Sequence, residues 1–247
     1  MSVGSDGWPP EPLIKRISIY IAGEIAMSRQ PGLVLKKWRE IFGASQLEVA
    51  RHMGVTSSVI SDYEKGRRTP GSSFIKRFVE ALISIDSERG WNVVSRLSKM
   101  LNLKYLEAVI DMYEYERSVT LDEIITAVKG VVLNSNIMPL RVYGYTVIDS
   151  IKAIMSLSGN EFLNLLGMGT PRVMVFTRVS TGRSPMIALR VSTIKPSVIV
   201  IHGPKMVDKL ALWIAETEHV PIILSAARSV EELVERLRRL SFSPQAA

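Results

Sequence analysis

The sequence contains no cysteine and only three histidines, His52, His202 and His219. Without cysteine the chain cannot form disulfides, use a cysteine nucleophile or hold zinc or an iron–sulfur cluster on thiolates. Three histidines spread along the chain do not suggest an all-protein metal site. We therefore predict no metal, no cofactor and no catalytic residue.

Long apolar runs are also missing. No segment reaches the roughly 20 apolar residues that a membrane-spanning helix requires. The most apolar early stretch, residues 13–27, is interrupted by Lys15, Arg16 and Glu24. Acidic residues and three prolines precede it, which is not typical of a signal peptide. We expect a cytoplasmic protein with no membrane partner.

The 247 residues are 47% hydrophobic and 22% charged, as expected for two globular domains. The net charge of +7 is unevenly distributed. Residues 29–99 carry 13 basic and 7 acidic side chains, whereas residues 100–133 carry 3 basic and 6 acidic ones. A basic block of this size is typical of a polyanion-binding surface. The alternative is a basic surface that only serves solubility.

Residues 31–86 show the pattern of four short helices divided by turns. Ser45 and Glu48 have the spacing of a capping box at the start of the second helix. Gly54 ends that helix, because glycine adopts a left-handed backbone at little cost. Thr56 begins a third helix that Gly66 closes. Two short helices joined by a glycine turn in a basic unit predict a helix-turn-helix. Its shared core is expected to consist of Leu47, Met53, Val55, Ile60 and Tyr63.

The third helix would lie in the DNA major groove with its N-terminal side chains at base edges. Hydroxyls at that end can donate or accept hydrogen bonds, and Gln46 can hold a phosphate at the start of the second helix. The alternative is a helical bundle with a solvated basic face. The candidate DNA-contacting residues are Gln46, Thr56, Ser57, Ser58, Ser61, Asp62, Lys65, Arg67 and Arg68.

Residues 38–70, WREIFGASQLEVARHMGVTSSVISDYEKGRRTP, resemble the Cro/repressor (XRE-type) helix-turn-helix family. The resemblance implies that Gln46, Ser57, Ser58, Ser61 and Asp62 lie at nucleic-acid-contacting positions. Relatives often carry longer side chains there, so serines imply modest sequence discrimination. The matching features are Ser45-Gln46, Leu47, Ala50, Gly54-Val55, Ile60-Ser61, Tyr63-Glu64, Gly66 and Pro70.

Most of residues 13–240 is similar to an archaeal family of XRE-type transcriptional regulators with an α/β C-terminal part. The resemblance rests on WREIFG…SVISDYEKGRR, GYTVIDSIKAIMSLSG and VSTGRSPMIALRV…KPSVIVIHGP. It implies a regulator without assigning chemistry to the C-terminal part.

The spacing of apolar residues changes after Gly130, from a helical pattern to short apolar runs typical of strands. Residues 87–130 carry a long apolar seam, which predicts a helical connector and dimerisation segment or packing within the chain. Beyond it we predict strands at 131–133, 140–145, 173–177, 186–191, 198–201 and 221–224, with helices at 147–157, 205–217 and 230–240. Apolar strands separated by helices indicate a parallel βαβ unit.

The expected architecture is an all-α helix-turn-helix domain followed by an α/β domain. Its divisions are 1–30 (arm and leading helix), 31–86 (DNA-binding domain), 87–130 (connector) and 131–247 (α/β effector-binding or assembly domain).

Ligands of parallel α/β sheets bind beyond the carboxyl ends of the strands, where helix N-termini favour anions. We therefore expect a phosphate or carboxylate to bind where two such strand ends meet a nearby loop. The alternative is a dimerisation domain without ligand. This region is also weakly similar to DRTGG-type regulatory domains. The candidate ligand-binding residues are Arg183, Ser184, His202, Gly203, Lys205 and Arg228.

Enzyme motifs are weak. Ser150 and Lys152 match a serine–lysine dyad by residue type alone, residues 167–169 are too short for a dinucleotide fingerprint, and no phosphate-binding Walker motif occurs. We predict a homodimeric transcriptional regulator that binds double-stranded DNA and responds to a small anionic effector. The alternatives are an adaptor like the archaeal multiprotein-bridging factors, whose zinc ribbon this chain lacks, and an enzyme with a DNA-binding appendage.

Overall fold

The computed structural model describes residues 8–135, 139–166 and 171–241. The chain divides into two compact units, Met1–Leu103 and Lys104–Ala247, called unit 1 and unit 2 below. The division falls inside the segment 87–130, for which the sequence predicts one helical connector. In the described part of the chain, no helix is long and apolar enough to cross a membrane.

The described residues of unit 1 form helices joined by turns and loops. Its leading helix buries one residue per turn, Leu13, Ile17, Ile21 and Ile25, all fully inaccessible to solvent. This stripe packs against α2 and α5, so the leading helix belongs to the core of unit 1. The helices are α1 (Glu11–Met27), α2 (Pro31–Ile41), α3 (Gln46–Met53), α4 (Ser57–Glu64), α5 (Ser72–Glu88) and α6 (Asn92–Met100).

Helices α3 and α4 form the expected helix-turn-helix. Ser45 and Glu48 make both hydrogen bonds of the capping box, and Gly54 takes the left-handed backbone with φ of 63°. The sequence prediction was wrong for Leu47, which is 51% exposed instead of lying in the shared core. Buried Val49, at 0% exposure, lies on the core face of α3 instead.

Unit 2 is built on a six-stranded sheet in the order β1-β3-β4-β5-β6-β2. The four central strands are parallel, which confirms the predicted parallel α/β architecture, and the two edge strands pair antiparallel. The strands are β1 (Val109–Thr120), β2 (Gly130–Val132), β3 (Arg141–Asp149), β4 (Arg172–Thr177), β5 (Val198–His202) and β6 (Ile222–Ser225).

Helices cover both faces of this sheet. On one face the odd-numbered valines of β4 and the even-numbered valines of β5 pack with Leu233 and Leu237 of α12. On the other face Phe162 of α9 stacks on Phe176 of β4, with ring centroids 6.5 Å apart. The helices are α7 (Leu121–Ala127), α8 (Ser150–Ser156), α9 (Gly159–Leu166), α10 (Arg183–Val191), α11 (Lys209–Thr217) and α12 (Val230–Arg239).

Residues 104–120 differ from the sequence prediction. They form a short 3-10 helix, Lys104–Ala108, and the edge strand β1 instead of continuing the helical seam. Buried Asp111 conceals the strand pattern, because its carboxylate accepts hydrogen bonds from Tyr145 and Arg238 and so occupies a core-facing position. Such a partnership between distant residues leaves no local signal.

Three further predictions were wrong in unit 2. Residues 186–191 are helical: Met186 and Leu189 are buried while Ile187 and Val191 are exposed, which is a helical period in a run that looks uniformly apolar. The helix predicted at 147–157 begins only at Ser150, because β3 continues to Asp149 and the Asp149 side chain caps α8. Helix α11 begins at Lys209 because Asp208 accepts the Leu210 amide hydrogen at 2.9 Å.

Candidate DNA-binding surface and ligand cavity

The N-terminal end of α4 exposes hydroxyl groups. Thr56, Ser57 and Ser58 are exposed, and Ser61 and Asp62 are half-buried on the following turn. The Thr56 hydroxyl lies 2.8 Å from the Ser58 hydroxyl and makes no capping hydrogen bond to a backbone amide. These side chains are therefore directed to the surface of the unit, where hydroxyl donors and acceptors can meet base edges.

Exposed cations follow α4 along the chain. Lys65, Arg67 and Arg68 are all exposed, and Arg67 makes a 3.1 Å ion pair with Asp62. Lys65 and Arg68 also line a depression with a volume of about 780 Å³, together with Arg29 and Lys36. Sequence reasoning missed Arg29 and Lys36; their position on either side of the α2 N-terminus is the signal that could have found them.

A buried network holds this surface in place. The Glu64 side chain is 3% exposed and accepts hydrogen bonds from Arg39 at 2.6 and 3.0 Å. Gln46 donates its amide hydrogen to the same carboxylate at 2.8 Å. This carboxylate raises the pKa of Arg39 and ties α2, α3 and α4 together. Gln46 was predicted to contact a phosphate. Its hydrogen bond to Glu64 also helps to position α3 against α4.

Unit 2 contains a cavity of about 370 Å³ on the face of the sheet that carries Phe176. Apolar side chains of α8, α9 and α10 form much of its wall, including Ile154, Phe162 and Ala188. Ser150, at the first position of α8, also lines it and is only 7% exposed. The Ser150 hydroxyl has no hydrogen-bond partner among the described residues.

The polar edge of the cavity is the N-terminus of α10. Gly182 precedes this helix with φ of 77° and provides no side-chain cap. Arg183 and Ser184, two of the predicted ligand residues, line the cavity here. Arg183 pairs with Asp208 at 2.7 Å and lowers the pKa of that carboxyl.

A second arginine, Arg178, lies at the same cavity and has a left-handed backbone with φ of 55°. Its guanidinium contacts the Asp149 carboxylate at 3.2 Å. Sequence reasoning did not select Arg178 or Ser150 as ligand-binding residues, because both belong to segments that it assigned to strand ends and a surface helix.

The other four predicted ligand residues are not among those lining the cavity. His202 is buried with its Nδ1 3.4 Å from the Ser225 hydroxyl, and burial lowers its pKa. Gly203 and Lys205 lie in the loop before α11, and Arg228 donates its backbone amide hydrogen to Glu232. Lys152 is exposed on α8. Residues 167–169 lie outside the described residues.

Comparison with known proteins identifies the family to which the chain belongs. A helix-turn-helix family model matches residues 35–85. An uncharacterized HTH-type transcriptional regulator of Archaeoglobus fulgidus is 46% identical over 227 residues, covering 91% of this chain and 97% of that protein. A second uncharacterized HTH-type transcriptional regulator, of Methanocaldococcus jannaschii, is 41% identical over 231 residues, covering 92% and 95%. The chain belongs to this family of HTH-type transcriptional regulators.

The two relatives match the regulator along both units, and their coverage extends well beyond the helix-turn-helix. The predicted resemblance to archaeal XRE-type regulators is thereby confirmed. Among solved structures, the regulator is similar to the CBS and DRTGG domains of the regulatory region of a Clostridium perfringens pyrophosphatase complexed with its activator, diadenosine tetraphosphate. That similarity has a TM-score of 0.36 and 14% identity, covering 48% of this chain and 47% of the other.

Proposed function

We propose that this regulator binds double-stranded DNA as a homodimer, with α4 in the major groove of each half-site. The observation that carries the proposal is the juxtaposition on α4 of exposed hydroxyls, at Thr56, Ser57 and Ser58, with the cations that follow the helix. Hydroxyls contact base edges, while cations hold the phosphate backbone and set the register of the helix.

The concave basic surface supplies the phosphate contacts. One depression beside α4 is lined by four cations, Lys65, Arg68, Arg29 and Lys36. The backbone amides at the N-terminus of α3 can also donate hydrogen bonds to a phosphate. Because phosphate contacts release counterions, the affinity should fall steeply with salt.

Apolar surface in unit 2 supports dimerisation. Neighbouring helices α10 and α11 expose Ile187, Val191, Leu210 and Trp213, the last at 57%. A face that meets its own copy cannot carry excess charge of one sign, since like charges would then oppose each other. Two cations near this face are neutralised by one carboxylate, because Glu218 lies 2.9 Å from Lys195 and also pairs with Arg190.

The proposal includes control by a small anionic effector bound in unit 2. A ligand shifts the DNA-binding equilibrium only by its difference in affinity for two states of the dimer. The packed pair α10 and α11 carries both the apolar face and the polar edge of the cavity, so a ligand there would bias the geometry of the dimer. Since the relatives are named as regulators, we infer no catalytic step.

The test is selection of genomic DNA fragments by the purified full chain at near-physiological salt. We expect an inverted repeat, enriched by the native chain and lost with Ser57→Ala/Ser58→Ala/Ser61→Ala. The matched control, Ser156→Ala/Thr217→Ala, removes surface hydroxyls from unit 2 and should retain the motif. Salt-sensitive binding without a motif, unchanged by the triple substitution, would instead support the adaptor function and contradict operator recognition.

A further inference from the structure

We infer that the cavity beside Phe176 binds an amphipathic organic anion, that is, a planar ring system carrying a phosphate or carboxylate group. This inference rests on the proposed effector control and names its site and ligand class. Three features of the cavity carry it: an apolar wall with an aromatic ring, a helix end that favours negative charge, and a buried hydroxyl without a partner.

The apolar wall selects a ring. Phe162 and Phe176 stack face to face at one side of the cavity, with ring planes inclined by 21°. Ile154, Leu157 and Ala188 complete an apolar surface there. A volume of about 370 Å³ lies within the range of small-molecule sites and fits a bicyclic ring with one substituent. A bare inorganic anion would leave this surface without a partner.

The polar edge selects an anion. Helix α10 has nine residues, and its first amides, those of Arg183 and Ser184, point toward the helix N-terminus without a side-chain cap. Such a helix end carries partial positive charge and free donors. The ion pairs of Arg178 and Arg183 with Asp149 and Asp208 engage one carboxylate each, whereas a guanidinium has five donors. Both arginines can therefore contact an oxyanion while keeping these partners.

Ser150 provides the independent sign that a ligand belongs here. Buried hydroxyl groups in folded proteins nearly always have a hydrogen-bond partner. Ser150 is 93% buried at the cavity wall, and its Oγ has no partner among the described residues. A polar atom of a bound molecule would supply the missing hydrogen bond. A helix end that served only to pack α10 against its neighbours would not require this arrangement.

The choice of ligand follows from these three features together. Ring and oxyanion must lie on the same molecule, because the apolar wall and the α10 N-terminus line one cavity. The hydroxyl of Ser150 then sits at the wall near the first turn of α8 and selects a polar atom on the ring or its linkage.

Calorimetric titration of the full chain with 2-naphthyl phosphate tests this assignment. Inorganic phosphate and 2-naphthol serve as the two halves of the probe, and 2-naphthoate distinguishes a carboxylate site from a phosphate site. We expect one molecule per chain, bound at least about tenfold more tightly than either half, because ring burial and charge contribute together.

Three substitutions locate the binding site. Ala188→Phe fills the cavity and should abolish binding, Arg183→Gln should weaken it about tenfold, and Ser150→Ala about threefold. The matched control is Arg190→Gln, at the far end of the same helix, where the side chain pairs with Glu218. The control should bind like the native chain. Thermal unfolding midpoints check that each variant is folded.

The outcomes separate the cavity from the regulatory function. Absence of heat at millimolar 2-naphthyl phosphate and 2-naphthoate, or binding unchanged by Ala188→Phe, overturns the assignment of the cavity while operator recognition stands. Binding that Ala188→Phe abolishes, with no change in operator affinity when ligand is added, establishes the cavity and contradicts effector control.

Discussion

The two units use their charged side chains differently. Unit 1 carries 15 Lys and Arg against 10 Asp and Glu, and unit 2 carries 16 against 14. Beside α4, Lys65 and Arg68 are exposed and enter no ion pair among the described residues. Around the cavity, Arg178 and Arg183 each contact a carboxylate. Similar numbers of cations thus leave a basic surface beside α4 in unit 1, which we propose binds phosphates, and a nearly neutral surface around the cavity in unit 2.

The contrast shows that net charge alone does not locate a nucleic-acid surface. Residues 134–247 also carry an excess of basic side chains, 13 against 8, yet many of them have acidic partners within the unit. The proposed DNA-binding surface differs in that the Glu64 carboxylate is buried against Arg39, and Asp62 pairs with Arg67. Lys65 and Arg68 are left facing solvent without an acidic partner among the described residues.

The largest expected effect comes from removing the buried ion pair between Glu64 and Arg39. Glu64→Gln removes the buried carboxylate and leaves Arg39, 12% exposed, with only a longer 3.9 Å contact to the exposed Glu40 carboxylate. Loss of one partner of a buried ion pair costs roughly 3–5 kcal/mol, so we expect the free energy of unfolding to fall by about 3 kcal/mol. Urea denaturation followed by circular dichroism measures the change.

The matched control is Glu80→Gln on α5. Glu80 and Lys76 lie at the surface with 4.0 Å between their charged atoms, and such pairs contribute little. A change within about 0.5 kcal/mol is expected. Equal losses in the two variants would mean that the Arg39–Glu64–Gln46 network does not stabilise the recognition surface.

A smaller effect is expected on DNA affinity. Lys65→Gln/Arg67→Gln/Arg68→Gln removes three phosphate contacts and should reduce the slope of log affinity against log salt by about 3. Fluorescence anisotropy with a labelled duplex, measured across a salt series, gives the slope and the affinity at each salt concentration.

The comparison between units is sharpened by an equal change of charge in unit 2. Arg190→Gln/Lys195→Gln/Arg239→Gln also removes three positive charges, all from side chains with acidic partners. We expect the salt slope to stay unchanged. A similar reduction in both triple variants would place DNA contacts in unit 2 and contradict the proposed division of labour.

The sequence was sufficient where the signals are local. The capping box at Ser45 and the left-handed backbone of Gly54 are set by residues within one helical turn, and the structure confirms them. Residues 183–191 were misassigned because a short apolar run does not reveal its period until one knows which side chains are buried. Strand β1 was missed because Asp111 is buried by partners 34 and 127 residues away.

The two candidate sites also differ in how far local sequence signals predict them. The hydroxyls of α4 follow from the helix-turn-helix pattern, since each lies at a fixed position in a helix whose start is marked by Thr56. The cavity was only partly predicted: Arg183 and Ser184 line it, whereas the loop around Lys205 does not. The later start of α11, fixed by Asp208, explains why Lys205 is not at a helix N-terminus. From sequence alone, a helix that begins at Lys205 and one that begins at Lys209 after an Asp208 cap both fit the pattern.

The smallest expected effect is a difference in pH dependence between two histidines, one in each unit. The Glu88 carboxylate, 3.0 Å from Nε2 of His52, raises the pKa of His52 in the folded state. Its stabilising contribution is present below the ordinary histidine value and is lost as the pH rises through the raised pKa. Burial instead lowers the pKa of His202, so the folded state binds fewer protons than the unfolded state. Stability is then lost as the pH falls below the ordinary value, toward the lowered pKa.

Substitution separates the two contributions. We expect the stability difference between the native chain and His52→Gln to shrink as the pH rises from about 6 to 8, and that between the native chain and His202→Gln to shrink as the pH falls from about 7 to 5. Urea denaturation at a series of pH values provides both curves. The opposite slopes follow from one physical difference: His52 gains a nearby carboxylate on folding, whereas for His202 the loss of water outweighs the opposing effect of the Glu231 carboxylate. Parallel slopes would show that the two environments do not differ in this respect.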